Sequence, residues 1–187
     1  MVKHVLTIAD LTKDEIAVVV KLAADLKANK TKYHDALTGK SVCCIFEKPS
    51  LRTRVSLELG CHELGAHAMY YSLEDAPIGE SLEDSSKNLS RMINAITARV
   101  KSRETLVKLA SVATVPVINA LDDWAHPMQM LADLLTIVEV RGSYEGMTLT
   151  FAGDLDNMPF DLMRTAGVCG FNIRLAGVGD IPKAVTD

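Results

Sequence analysis

Apolar residues recur at helical spacing near the start of the chain. Ile16, Val19, Val20, Ala23 and Leu26 fall on the i, i+3, i+4, i+7 pattern of one buried face. That spacing predicts a helix over 14–27, with the Thr12 hydroxyl in front of it as a cap. A polar, turn-rich stretch (29–40) follows, and then the apolar run 41–46, which leads into Pro49 and reads as a short buried strand. The pattern continues in alternation. Residues 53–64 are helical and stop at Gly65, a good C-terminal cap, and 66–73 have strand character. A loop (74–80) precedes a helix over 81–94 whose inner face is Leu82, Leu89, Met92 and Ile93. Strand 95–100, helix 104–112 and strand 115–121 come next, and then a helix over 126–139 carrying Leu131, Leu134, Leu135 and Val138.

Strand and helix in this rhythm imply an α/β fold, a parallel sheet flanked by helices. The turn-like segment 141–146 is the best domain boundary and gives domains of 1–141 and 142–187. Beyond it, strand 147–152, helix 161–167 and strand 171–176 make only one βαβ unit of a second parallel sheet, which leaves strand edges unpaired.

Composition narrows the function classes. The net charge of −4 gives no general field to attract nucleic acid or an acidic membrane, so an anionic ligand needs a local basic cluster. No apolar run approaches the ~18 residues of a membrane span. The N-terminal segment lacks the features of a signal or transit peptide, so the cytoplasm is the expected location. Cys43, Cys44, Cys61 and Cys169 form no C-x-x-C pair and read as buried free thiols, not as a metal site.

Two segments carry candidate chemistry. Phe46-Glu47-Lys48-Pro49-Ser50-Leu51-Arg52-Thr53-Arg54 joins an apolar strand to a helix. Hydroxyls, arginines, free backbone N–H groups and the positive end of a helix dipole there make an anion site. The same residues also suit an ordinary helix cap with solvated arginines. Asp122-Asp123-Trp124-Ala125-His126-Pro127-Met128-Gln129 likewise follows a strand and opens a helix, with Pro127 in the first turn. It puts His126 at the helix mouth and Gln129 one turn on. His126 is there either a ligand-facing donor or a plain cap. Arg99, at a strand end, is either a third contributor or solvated. In open parallel sheets, ligands gather beyond the carboxyl ends of the strands.

Ser50-Leu51-Arg52-Thr53-Arg54 resembles the Ser-Thr-Arg-Thr-Arg carbamoyl phosphate motif of the aspartate/ornithine carbamoyltransferases, and His126-Pro127-Met128-Gln129 resembles their His-Pro-x-Gln motif. Phe46-Glu47-Lys48-Pro49 and Leu131-Ala132-Asp133-Leu134-Leu135-Thr136-Ile137 agree, and order and spacing match from about residue 1 through about 178. The resemblance implies a carbamoyl-phosphate-binding domain over 1–141 and part of a Rossmann-like amino-acid-binding domain over 142–187. It implies a transferase that needs no cofactor and no metal. Ser50, Leu51 (through its main chain), Arg52 and Thr53 would hold the phosphate. Arg99, His126 and Thr53 would donate to the carbamoyl oxygen, and Gln129 would accept from the carbamoyl amide. Gly153-Asp154-Leu155-Asp156-Asn157 is similar to the Gly-Asp-x-Asn-Asn turn of the ornithine branch, which implies an ornithine contact for Asn157. The acceptor implied is L-ornithine, giving citrulline as in arginine biosynthesis. Aspartate or an acylated ornithine is the alternative. A homotrimer is implied as well.

The sequence departs from the family at Leu51, where the motif has threonine, and at Met128, where ornithine enzymes usually carry cysteine. It departs again at Pro77, where a glutamine reaches the neighbouring subunit's carbamoyl phosphate. The family's later elements, including the Ser-Met-Gly loop and the His-Cys-Leu-Pro turn, lie beyond Asp187. A catalytically incomplete carbamoyl-phosphate-binding relative is therefore a further reading. Gly177-Val178-Gly179-Asp180-Ile181-Pro182 begins like a dinucleotide loop, but Pro182 stands where the third glycine belongs.

Overall fold

A computed structural model of the chain describes residues 2–75 and 80–179. Pro77 and the end of the glycine-containing segment, Asp180 to Pro182, lie outside the described residues. The elements alternate as expected: α1 (Lys13–Ala28), β1 (Ser41–Phe46), α2 (Leu51–Glu63), β2 (His67–Ser72), α3 (Leu82–Leu89), β3 (Ala95–Arg99), α4 (Arg103–Val112), β4 (Val117–Leu121), α5 (Pro127–Arg141), β5 (Thr148–Asp154), α6 (Asn157–Cys169) and β6 (Asn172–Val178). No helix among the described residues is long and apolar enough to cross a membrane.

The chain divides into two compact units, one of residues 1–6 and 26–123, the other of residues 7–25 and 124–187. The division by packing thus assigns α5 to the second unit, although its sequence continues the pattern of the first.

In the first unit the sheet is wholly parallel, in the order β2-β1-β3-β4. The chain goes from β1 outward to β2, then crosses back to lay β3 on the other side of β1. That reversal makes a topological switch point between β1 and β3, and the carboxyl ends of the strands at such a point are the usual ligand position in parallel sheets. The core consists of Cys43, Ile45, Ile96, Ala98, Val100, Leu106, Leu109 and Val117, all essentially inaccessible, with Ile93 and Ala110. Glycine is required at position 65, past the end of α2. It has φ +81°, and a Cβ there would lie 2.9 Å from the His34 carbonyl oxygen.

The second unit pairs β5 with β6 in parallel register. Its core joins Ile8, Ile16 and Val20 to Met130, Leu134, Tyr144, Ala166, Cys169 and Phe171. Thr12 and Glu15 close a reciprocal cap on α1: the Thr12 N–H donates to Glu15 Oε2 at 2.8 Å, and the Glu15 N–H to Thr12 Oγ1 at 3.2 Å. Cys43, Cys44 and Cys169 are buried, Cys61 is half-buried, and all four are free thiols.

Three expectations need correction. Met92 is 70% exposed and Val19 38% exposed, so neither belongs to an inner face. The helix expected over 81–94 ends at Leu89. Asn94 exchanges two hydrogen bonds with Ser41, each 2.9 Å, and the chain must leave the helix to bring β3 beside β1. Conversely, α6 begins four residues before 161, because Pro159 falls in its first turn, where a missing N–H costs nothing.

Candidate functional site

The site in the first unit begins with strand ends. Phe46 and Arg99 are register partners at the ends of β1 and β3, and the Glu47 N–H donates to the Arg99 carbonyl at 2.9 Å. The Glu47 carboxylate accepts from the Lys101 N–H at 2.7 Å. This glutamate therefore ties together the two loops that present the candidate residues. The sequence put Glu47 in a segment that agrees with the family but gave it no role of its own.

Helix α2 then starts in an unusual way. Ser50 is its N-terminal flanking residue, but the Ser50 side chain makes no capping bond. Its hydroxyl instead donates to Thr53 Oγ1 at 3.0 Å, and Arg99 Nη1 donates to the same oxygen at 3.3 Å. Ser50, Thr53 and Arg99 thus form one hydrogen-bonded chain. The first intrahelical bond is from the Arg54 N–H to the Ser50 carbonyl, at 3.1 Å. The N–H groups of Leu51, Arg52 and Thr53 are left to an external acceptor.

Electrostatics point the same way. Arg99 lies below the ordinary arginine pKa, first because it is partly buried and then because the Arg52 charge is near. Arg99 Nε is buried and has no hydrogen-bond partner among the described residues. Two guanidiniums close enough to repel, beside unsatisfied N–H groups at a helix start, favour an anion with several oxygens. Arg54 serves elsewhere: it pairs with Glu58 at 2.8 Å and lies over the Tyr70 ring at 4.0 Å.

Asp122 and Asp123, which the sequence groups with the histidine motif, have structural partners in this unit. Asp122 is buried and pairs with Arg103 at 3.3 Å, while Asp123 accepts from the Arg103 N–H at 2.7 Å. Leu121, just before them, has φ +138°, a value that side-chain-bearing residues rarely adopt.

His126, Gln129 and Asn157 belong to the second unit. His126 flanks the start of α5, with Pro127 next. The His126 N–H donates to Asp161 Oδ2 at 2.7 Å. Gln129 is exposed and donates its amide N–H to Asp133 Oδ1 at 2.9 Å, which leaves its carbonyl oxygen available as an acceptor. Burial raises the Asp133 pKa, and the bond from Gln129 partly offsets that. Asn157 opens α6, whose cap is Asp156 accepting from the Met158 N–H at 3.0 Å. Among the described residues, no group of three or more His, Cys, Asp or Glu side chains is arranged to hold a metal ion.

The sequence reading also passed over Asp161 and Arg164. The available signal was an acidic residue inside an apolar helical stretch with an arginine three positions on.

The model of the aspartate/ornithine carbamoyltransferase carbamoyl-phosphate-binding domain matches residues 3–139. This chain belongs to that family. Among curated relatives it is 44% identical to the ornithine carbamoyltransferase of Anoxybacillus flavithermus over 178 residues, covering 93% of this chain and 57% of that one. It is 41% identical to the enzyme of that name from Archaeoglobus fulgidus, covering 93% and 58%. Among solved structures, ornithine carbamoyltransferase from Burkholderia thailandensis matches with a TM-score of 0.93 at 32% identity, over all of this chain and 66% of that one. The Pyrococcus furiosus enzyme matches at 0.92 and 36%, over 99% and 61%. The chain spans a little over half the length of the curated relatives it matches, 57% for the first.

Proposed function

We propose that this chain binds carbamoyl phosphate and serves in transfer of its carbamoyl group to the side-chain amine of L-ornithine, giving L-citrulline and phosphate as in arginine biosynthesis. The observation that carries the reading is the Ser50–Thr53–Arg99 hydrogen-bonded chain at an uncapped helix start. In this reading the N–H groups of residues 51–53, the Ser50 and Thr53 hydroxyls and Arg52 take the phosphate oxygens. Arg99 and His126 donate to the carbamoyl oxygen, and Gln129 accepts from the carbamoyl amide. The amine nitrogen forms a bond to the carbonyl carbon, and negative charge develops on the carbonyl oxygen. The carbon–oxygen bond to phosphate then breaks, its electron pair leaving with phosphate, and the amine gives up a proton. Fixed donors at that oxygen are typically worth ~10²–10³ in rate each. Asn157 is assigned to the amino-acid end, and residues 1–141 to the carbamoyl-phosphate domain. The reading carries with it a cytoplasmic location and a homotrimer.

Ornithine is favoured as acceptor by relatives of 41–44% identity that carry the ornithine carbamoyltransferase name. A second reading, an acylated ornithine, draws on Leu51. It stands in the phosphate motif in place of threonine and is 78% exposed.

Thermal unfolding with carbamoyl phosphate, with inorganic phosphate as control, tests binding. Ligand at 100 times its Kd adds ~2.7 kcal/mol of stability. The expected result is a shift larger than phosphate gives, lost in Arg52→Ala. No shift would remove the reading. A shift without citrulline formation would leave a binding relative that does not complete the transfer.

A further inference from the structure

We propose that Asp161, with Arg164 as its buried counter-charge, is the positioning residue that fixes His126 for its role at the carbamoyl oxygen, an inference that rests on the function proposed above. At the start of α5 the His126 carbonyl accepts from the Gln129 and Met130 N–H groups at 2.9 and 3.1 Å, which anchors the helix side of the residue but not its N–H side. His126 makes no side-chain capping bond, its backbone is neither helical nor extended (φ −140°, ψ 68°), and Pro127 has no N–H to donate. The N–H side is held from α6. Asp161 is fully buried and accepts from the His126 N–H at 2.7 Å. Its other oxygen lies 3.6 Å from Arg164 Nη1, and the Arg164 side chain is only 10% exposed. Arg164 donates to the Trp124 carbonyl at 3.1 Å and stacks over the Trp124 ring at 3.6 Å. Ala125, between the two anchored residues, is itself inaccessible.

Three consecutive residues are therefore held, at the Trp124 carbonyl and ring, the Ala125 side chain and the His126 N–H. With that N–H pinned and the φ of Pro127 fixed by its ring, the direction of the His126 Cα–Cβ bond is set. A buried ion pair is a weak source of stability, and a well-packed apolar pair of similar volume is often as good. The return on burying these charges is geometric: the carboxylate orients the imidazole assigned to the carbamoyl oxygen, and Arg164 balances its charge.

Two double variants separate positioning from stability, because each removes both charges and leaves neither one buried alone. Asp161→Asn with Arg164→Met keeps an oxygen for the His126 N–H, whereas Asp161→Leu with Arg164→Met does not. The readouts are the NMR shifts of the His126 ring and the Kd values for carbamoyl phosphate and inorganic phosphate. The Asn/Met variant is expected to keep the ring shifts and both affinities. The Leu/Met variant is expected to move the ring shifts and to weaken carbamoyl phosphate on the order of tenfold, about one hydrogen bond's worth, with phosphate unchanged. Identical behaviour of the two variants would overturn the proposal. If the parent chain does not bind carbamoyl phosphate, the functional reading fails, and the ring shifts still decide whether the carboxylate orients His126. Amide exchange in the unmutated chain adds a measurement that no variant's folding affects. The His126 N–H is expected among the slow amides of the second unit, and exchange at the rate of an exposed amide would overturn the proposal.

Discussion

Arg52 adds its charge to that of Arg99, and partial burial has already pushed the Arg99 pKa down. An anion placed between them relieves both effects, so Arg52→Ala acts in opposite directions on the free and the liganded chain. Arg52 is exposed, and like-charge repulsion at a surface is worth at most ~1 kcal/mol. The Tm of the ligand-free variant is therefore expected to stay level or rise slightly, while the rise with carbamoyl phosphate disappears. Scanning fluorimetry with and without ligand checks both arms, and a large fall in the ligand-free Tm would mean that Arg52 holds the fold. Cys43 makes a second residue-scale prediction. Burial, and then the neighbouring Cys44, push its thiol from 9.0 up to about 12. Between those values the folded chain keeps a proton that the unfolded chain has released. The stabilisation is thus complete below pH 9.0 and is lost as pH rises toward about 12. The urea midpoint is expected to fall between about pH 8 and about pH 10.5 by linkage, and to fall less in Cys43→Ala. An equal fall in both would assign the slope to other groups.

At the scale of elements, the end of β4 stores the clearest strain. Leu121 holds φ +138°, the register between β3 and β4 shifts beside it, and Leu121 becomes the partner of Arg99. The Asn119 side-chain oxygen accepts from the Leu121 N–H at 2.9 Å and fixes the bend. Such a conformation costs a side-chain-bearing residue ~1–3 kcal/mol, a cost that glycine escapes. Leu121→Gly is therefore expected to be more stable than Leu121→Ala by about 1 kcal/mol, the reverse of the usual order. Urea titration of the two variants decides it, and an Ala variant equal to or better than Gly would mean that the bend is unstrained. This strain marks where sequence reading stops. Strand 41–46 and its neighbours were legible because apolar runs and helical spacing are local signals. The outward direction of Met92 was not, since Asn94 ends the helix through partners 53 residues away in sequence. Ser50, Arg52 and Thr53 could be picked out from the sequence as a proposed phosphate cradle, because a strand end followed by a helix start offers free N–H groups. Glu47 and Asp161 could not, because a carboxylate that accepts a distant backbone N–H leaves no pattern in its own neighbourhood.

The whole molecule raises the question of what lies against α2. None of its residues is buried, and Leu51, Val55 and Leu59, spaced four apart on one face, are 78%, 41% and 55% exposed. Next to them, Tyr70 on β2 is 37% exposed, stacked on Phe46 at 5.3 Å and capped by Arg54. An apolar row at i, i+4, i+8 beside a half-exposed aromatic is the kind of surface that self-association covers, which supports the proposed homotrimer. Leu59→Glu puts a charge in that row, at its end away from the proposed phosphate cradle. Light scattering after size exclusion is expected to show an oligomer for the parent chain and a monomer for the variant. An unchanged mass would place the subunit contact elsewhere. The same variant tests how far each subunit's cradle stands alone. The resemblance implies a glutamine that reaches the neighbouring subunit's site, but this sequence has Pro77 there, which has no side-chain donor. Loss of the oligomer should therefore leave carbamoyl phosphate affinity within about twofold of the parent, less than one hydrogen bond's worth. A tenfold loss on dissociation would mean that another residue of the neighbouring subunit completes the site.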